Sequence, residues 1–149
     1  MAYEWDTRVG AYAVVIEAGR ILLAHWNEHG RTGWTLPGGG LELGEDAPTA
    51  AVREVREETG YTVQLDELLG VDSLHIPAKD RESGDDRPLH ALRIIYRAHT
   101  VSGAIVHEVA GSTDEAAWIE LDAVPNLHRV SLVDAALALT YQSPDRALP

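Results

Sequence analysis

Cysteine is absent from the 149 residues, which excludes disulfide staples and thiolate metal sites and leaves the redox compartment open. No run of 18 apolar residues occurs, so the sequence offers no candidate transmembrane helix. Nor does the N-terminus read basic-then-apolar, as a secretory signal does. The expectation is a cytoplasmic protein with no membrane partner. Positive charge is also scarce: 12 lysines and arginines face 24 acidic residues, for a formal charge of -12. That balance disfavours binding long nucleic acid through its phosphates. It does not exclude a small phosphorylated ligand, because bound cations change the local charge. What remains is ordinary globular composition, and the length predicts one domain over residues 1–149 with a core that needs no staples.

The most informative stretch runs from Gly39 to Tyr61. Gly38 directly precedes it, and the bare backbone of Gly38, Gly39 and Gly40 can approach a phosphate or a metal closely. The stretch continues as a helix. Asp46 suits the N-cap, Pro48 lies in the first turn where its missing N–H costs nothing, and Gly60 supplies a left-handed stop. At about 100° per residue, Ala47, Ala51, Val52, Val55 and Thr59 share one face, the one expected to be buried. Glu54, Glu57 and Glu58 fall along one flank of it at i, i+3 and i+4.

Like charges at that spacing cost a helix roughly 0.2–0.5 kcal/mol per pair. A solvated acidic face with Arg53 and Arg56 as local counter-ions is one explanation. The other is a hard divalent cation, Mg2+ or Mn2+, gripped by convergent oxygens. Arg53 stands four residues before Glu57 and can hold a carboxylate in place, an orienting task, while Glu45 can accept such a bond or brace the loop.

Gly39, Glu45, Arg53, Glu54, Val55, Glu57, Glu58 and Gly60 match, gap for gap, the signature of the Nudix hydrolases, G-x5-E-x7-R-E-U-x-E-E-x-G-U, with U a bulky apolar residue. Tyr61 takes the last U, where an aliphatic residue is commoner. The preceding Trp34-Thr35-Leu36-Pro37-Gly38 also resembles the strand and turn that lead into this loop. The resemblance implies an α/β (α+β) fold: an α/β/α sandwich around a central mixed β-sheet. It implies Glu54 and Glu58 as the main Mg2+ ligands (Mn2+ as the alternative), Glu57 ligating directly or through water, and the Gly38 carbonyl completing the shell. It further implies hydrolysis of a nucleoside diphosphate linked to another group X.

The resemblance does not fix the water-activating base, but implies a carboxylate on a later loop just ahead of a Trp-bearing strand. Glu115 fits that place, with Asp114 and Glu108 as reserves and Glu57 next. The expected substrate is a small, nucleotide-type diphosphate: a (deoxy)nucleoside triphosphate, oxidised forms included. ADP-ribose or a nucleotide sugar is the alternative, on the strength of Pro77 sixteen residues past Tyr61. A non-catalytic nucleotide sensor is the remaining one. Oligomeric state, monomer or homodimer, is left open.

Elsewhere, Met1–Thr7 reads as a loose arm, Val9–Ile16 as a buried strand, and Ile21–His25 as its hairpin partner. Trp26–Gly33 reads as a loop, with Trp26 or Trp34 able either to stack on a base or to pack in the core. Val63–His75 reads as extended, with a bend at Asp66-Glu67. The stretch from Pro77 to Pro88 is a polar loop whose Lys79, Arg81 and Arg87 could meet phosphate or simply be solvated. Leu89–Val101 alternates as a strand. Ala104–His107 suggests an edge piece, and Thr113–Leu121 a loop leading into a strand. Leu121–Pro125 begins a short turn or helix, and Ser131–Tyr141 is a helix capped by Ser131. The seven histidines show no metal-ligand spacing.

Overall fold

The structure, a computed structural model, describes residues 4–107 and 111–142. Seven strands form one mixed sheet: β1 Asp6–Glu17, β2 Arg20–Glu28, β3 Arg31–Thr35, β4 Gly38–Gly40, β5 Tyr61–Ile76, β6 Leu89–Gly103 and β7 Thr113–Glu120. The main path runs β3-β2-β1-β6-β5, with β4 paired to β1 and β7 to β2. The sheet is mixed because β1 and β6 are parallel while the other pairings are antiparallel. Helices α1, Ala47–Thr59, and α2, Ser131–Tyr141, cover its two faces. Among the described residues, no helix is long and apolar enough to cross a membrane.

The two-residue period of β1 assigns the layers. Tyr12, Val14 and Ile16 join the cluster that contains Leu132, Val133 and Ala136 of α2. Ala13 and Val15 pack with Val55 of α1, and Ala11 with Ala50 and Ala51. Both faces of β1 are thus covered, which is why its central residues are apolar without alternation.

The caps of α1 follow from its sequence. Asp46 Oδ1 accepts the Thr49 N–H at 2.8 Å, and Gly60, at φ 87°, donates its N–H to the Arg56 carbonyl. Its buried residues are Ala50, Ala51, Val55, Glu58 and Thr59, whereas Ala47 and Val52 are half-buried. The inward face is therefore rotated towards Glu58 from the expected one.

Several local expectations need correction. Trp26–Gly33 is not a loop but the tip of a hairpin. His29 (φ 52°) and Gly30 (φ 76°) make the turn, with the two positive φ values that a twisted hairpin favours. Its arms are polar because they stand in solvent. Asp6 and Thr7 are not a loose arm but the start of β1, paired with Leu89 and His90, while Met1–Tyr3 lie outside the described residues. Ala104–His107 forms no strand; Val106 instead donates its N–H to the Thr59 carbonyl at the end of α1. Ser131 is the first helical residue of α2, not its cap. Val130 takes the cap position because its N–H is bonded to the Trp34 carbonyl at 3.0 Å in extended conformation. At the expected bend, Asp66 is skipped in the β5–β6 register between Leu65 and Glu67, a bulge.

A Cβ on Gly60 would fall 2.3 Å from the Ala104 carbonyl oxygen and 2.8 Å from the Val106 nitrogen, at a left-handed φ. The left-handed conformation alone costs roughly 1–2 kcal/mol for an L-residue. Gly60→Ala should therefore lower unfolding stability by at least about 2 kcal/mol in a urea titration; an unchanged midpoint would contradict this packing.

Candidate functional site

Glu54 and Glu58 sit one turn apart on α1, opposite the three-glycine strand β4. Glu58 is 5% exposed and accepts the Gly38 N–H at 3.0 Å. Glu54 is 16% exposed at its side chain and faces Gly39. A Cβ there would lie 2.8 Å from the Glu54 carboxyl carbon, so the backbone leaves room for a carboxylate that any other residue would displace. Gly38 is equally constrained: at φ 150°, an added Cβ would stand 2.4 Å from the Ala11 carbonyl oxygen.

Glu57 is more exposed than either. Adjacent helix positions are about 100° apart, so Glu57 and Glu58 leave the helix on opposite sides of Glu54, Glu57 on the more exposed one. Glu57 is 50% exposed and is held outward by Arg53, whose Nη1 lies 3.3 Å from Glu57 Oε2 and 3.0 Å from Glu54 Oε1. Nε and Nη2 of Arg53 grip both oxygens of Glu45 at 2.8 and 2.9 Å, and Nη2 reaches the Gly40 carbonyl at 3.3 Å. One guanidinium thus ties α1 to the loop before it and to β4. Among the described residues, no three acid or histidine side chains already form a closed metal cage. The donor set still fits a hard divalent cation: oxygen ligands only, two inward carboxylates, and a glycine cradle.

Glu54, Glu58 and Gly38–Gly40 border a cavity of about 890 Å³. Its further walls include Arg8 and Tyr12 of β1, Trp26 of β2, Arg93 of β6, and Pro77 with Asp80–Ser83 of the polar loop. That loop reaches the cavity, but its arginines are engaged. Arg81 Nη1 binds Asp6 Oδ2 at 2.7 Å and Nη2 binds Asp85, while Arg87 pairs with Asp6. Lys79 and Arg87 do not line the cavity. The two tryptophans separate: Trp26 lines it, with Nε1 donating to Glu28 at 3.2 Å, while Trp34 packs on the α2-side core.

Glu115 needs correction. It lies within β7 rather than on a loop, opposite His25, and is exposed without lining the cavity. His25 packs edge-to-face on Trp34, so the strand alternation turns this pair towards the α2 side, away from the acids of α1. Thr113 and Ser112 do line the cavity. Asp114 is occupied by Asn27 and His25, bonds that lower its pKa, and Glu108 lies outside the described residues. Sequence reasoning missed Arg8, Tyr12 and Arg93, which carry no motif; what unites them is strand register.

The NUDIX domain model matches residues 6–138. The chain is 51% identical over 61 residues to a MutT-like protein of Streptomyces ambofaciens, 41% of this chain and 38% of that one. It is 36% identical over 90 residues to an 8-oxo-(d)GTP phosphatase of Mycolicibacterium smegmatis, 48% and 28% of the two chains. Over 107 residues it is 30% identical to an ADP-ribose pyrophosphatase of Methanocaldococcus jannaschii, 72% and 57%. The chain thus spans less than two thirds of the length of these curated relatives. A solved NUDIX hydrolase from Nitrosomonas europaea superposes with a TM-score of 0.75 at 25% identity, covering 90% of this chain and 88% of that one. Fold, acids and matches define the class together: the chain belongs to the Nudix family of hydrolases, which work with a divalent metal.

Arg53 also leaves a titration signature. Its hydrogen bonds, helped by the Glu42 N–H, lower the Glu45 pKa from its ordinary 4.5 to about 2. A depressed folded-state pKa adds stability above the ordinary value and loses it as pH falls towards the depressed one. Acid unfolding should therefore steepen between pH 4.5 and about 2, and Glu45→Gln should flatten that limb. Equal slopes in the two proteins would contradict the clamp.

Proposed function

We propose that this chain, as a single domain over residues 1–149, is a Mg2+-dependent hydrolase of nucleotide-type diphosphates, with Mn2+ able to replace Mg2+. The observation that carries the reading is the pair of inward carboxylates, Glu54 and Glu58, packed against Gly39 and Gly38, where an added Cβ would come within 2.8 Å of its neighbours. These two side chains would hold the ion, with the Gly38 carbonyl as a third oxygen. Bound there, the cation supplies charge neutralisation on phosphate oxygens and acidifies a water. Arg53 keeps the acids in register and does not touch substrate. With Glu115 turned to the other side, Glu57 is the carboxylate we assign to accept the water's proton, from its half-exposed place beside Glu54. Trp26 offers a ring on the cavity wall for a base.

For the substrate we favour a small (deoxy)nucleoside triphosphate, oxidised forms included, cleaved to monophosphate and pyrophosphate. Similarity to the 8-oxo-(d)GTP phosphatase supports it. ADP-ribose is the second reading, favoured by Pro77 on the cavity wall and by the long match to the archaeal ADP-ribose pyrophosphatase.

Incubating the protein and Mg2+ with deoxynucleoside triphosphates, 8-oxo-dGTP and ADP-ribose, then identifying products by chromatography, separates these readings. Glu58→Gln should lower turnover at least about a hundredfold while circular dichroism stays unchanged. Metal-dependent turnover that survives in this variant would overturn the proposal.

A further inference from the structure

Four strands align one row of residues across the floor of the cavity. Gly40 of β4 pairs with Gly10 of β1, Gly10 with Arg93 of β6, and Arg93 with Asp72 of β5. Neighbouring strands lie about 4.8 Å apart, so Arg93 stands on the order of 10 Å from the glycine strand. Between them the Tyr12 side chain folds over Gly10, where a Cβ would meet ring atom Cε2 at 2.7 Å and the hydroxyl oxygen at 2.8 Å. The row therefore has a flat aromatic floor with a cation beyond its far end.

Two arginines flank that floor in different electrical states. Arg8, beside Gly40, donates to the Tyr12 hydroxyl at 3.3 Å and has no carboxylate partner among the described residues. Arg93 is 9% exposed. Its Nε lies 2.8 Å from Asp72 Oδ2 and its Nη2 binds the same oxygen. Nη1 is the arm of Arg93 that this pairing leaves over. Asp72 does not line the cavity, so it cancels the charge of Arg93 from behind without presenting its own.

The geometry points to Arg93 as a specificity-determining residue that reads the nucleobase, with Asp72 as its positioning partner. A neutralised, rigid guanidinium is a poor phosphate ligand and a good directional donor to a neutral acceptor, such as a base carbonyl or ring nitrogen. Arg8, uncompensated and next to the glycines, is the phosphate-side cation. This assignment rests on the nucleotide reading above: phosphates at β4, base at β6, and the sugar crossing Tyr12.

Calorimetry without divalent ion tests it, using the four common deoxynucleoside triphosphates and inorganic triphosphate as a base-free probe. The wild type should discriminate among the bases by about tenfold, the worth of one directed hydrogen bond to a charged donor. Arg93→Lys should level that preference and leave inorganic triphosphate binding unchanged. Asp72→Asn keeps the guanidinium and removes its counter-charge, so it should weaken base discrimination while tightening inorganic triphosphate. That opposed pair of effects serves even if Arg93→Lys does not fold. Even binding of all bases by the wild type would overturn the assignment. So would a loss of inorganic triphosphate binding in Arg93→Lys, or an Asp72→Asn protein that matches the wild type on both probes. Base discrimination in a protein that hydrolyses nothing with Mg2+ would overturn the hydrolase reading and leave this one standing.

Discussion

Arg53 is the constraint on which the site depends. A lone guanidinium engages Glu45, Glu54, Glu57 and the Gly40 carbonyl, so it fixes a helix, the loop before it and a sheet edge relative to one another. Its hydrogen bonds to Glu45, and then to Glu54, raise its pKa against the burial that lowers it, and the same bonds to Glu45 lower the pKa of that carboxyl. Without it, three glutamates within five residues would repel across a half-dry flank. With it, they are sorted: Glu57 outward, Glu54 and Glu58 inward. A planar, five-donor group suits this task, and a lysine, with a single charged tip, could not bind both oxygens of Glu45 and still reach the others.

The glycines complete the sorting. Strand alternation turns the middle one, Gly39, to Glu54, and the outer two, Gly38 and Gly40, to Tyr12 and Arg8. A three-residue strand without side chains therefore borders one cavity with the carboxylates on one side of it and the aromatic floor on the other. Because β4 pairs with β1 and β1 with β6, the same register carries this geometry to Arg93. Backbone hydrogen bonding, rather than a dedicated loop, sets the distance between the two ends of the cavity.

Much of this was legible in the sequence, for physical reasons that differ by element. The α1 helix declared itself through Asp46, Pro48 and Gly60, because capping is local and needs no tertiary partner. β1 was readable from its apolar content, β6 from its alternation, and α2 from the spacing of Leu132 and Ala136. The hairpin at His29-Gly30 was not, since both arms are solvated and carry no alternation to detect. Spacing put the three glutamates on one flank, but it did not say how far each is exposed or that one guanidinium bonds both Glu54 and Glu57. Glu115 was placed on a loop ahead of a Trp-bearing strand, and the entry of β7 at Thr113 instead set it in the strand opposite His25. Arg93 and Tyr12 could not be found from spacing at all: they meet through the pairing of strands about 80 residues apart in the chain, as at Gly10 and Arg93.

The central claim is that Arg53 sorts the acids so that Glu54 and Glu58 together face a cation. Anomalous diffraction from crystals grown with Mn2+ tests it most directly. The account predicts a peak roughly 2.1 Å from oxygens of both carboxylates, with Arg53 still on Glu45. Manganese bound elsewhere, or Glu54 and Glu58 turned apart with no peak between them, would contradict it.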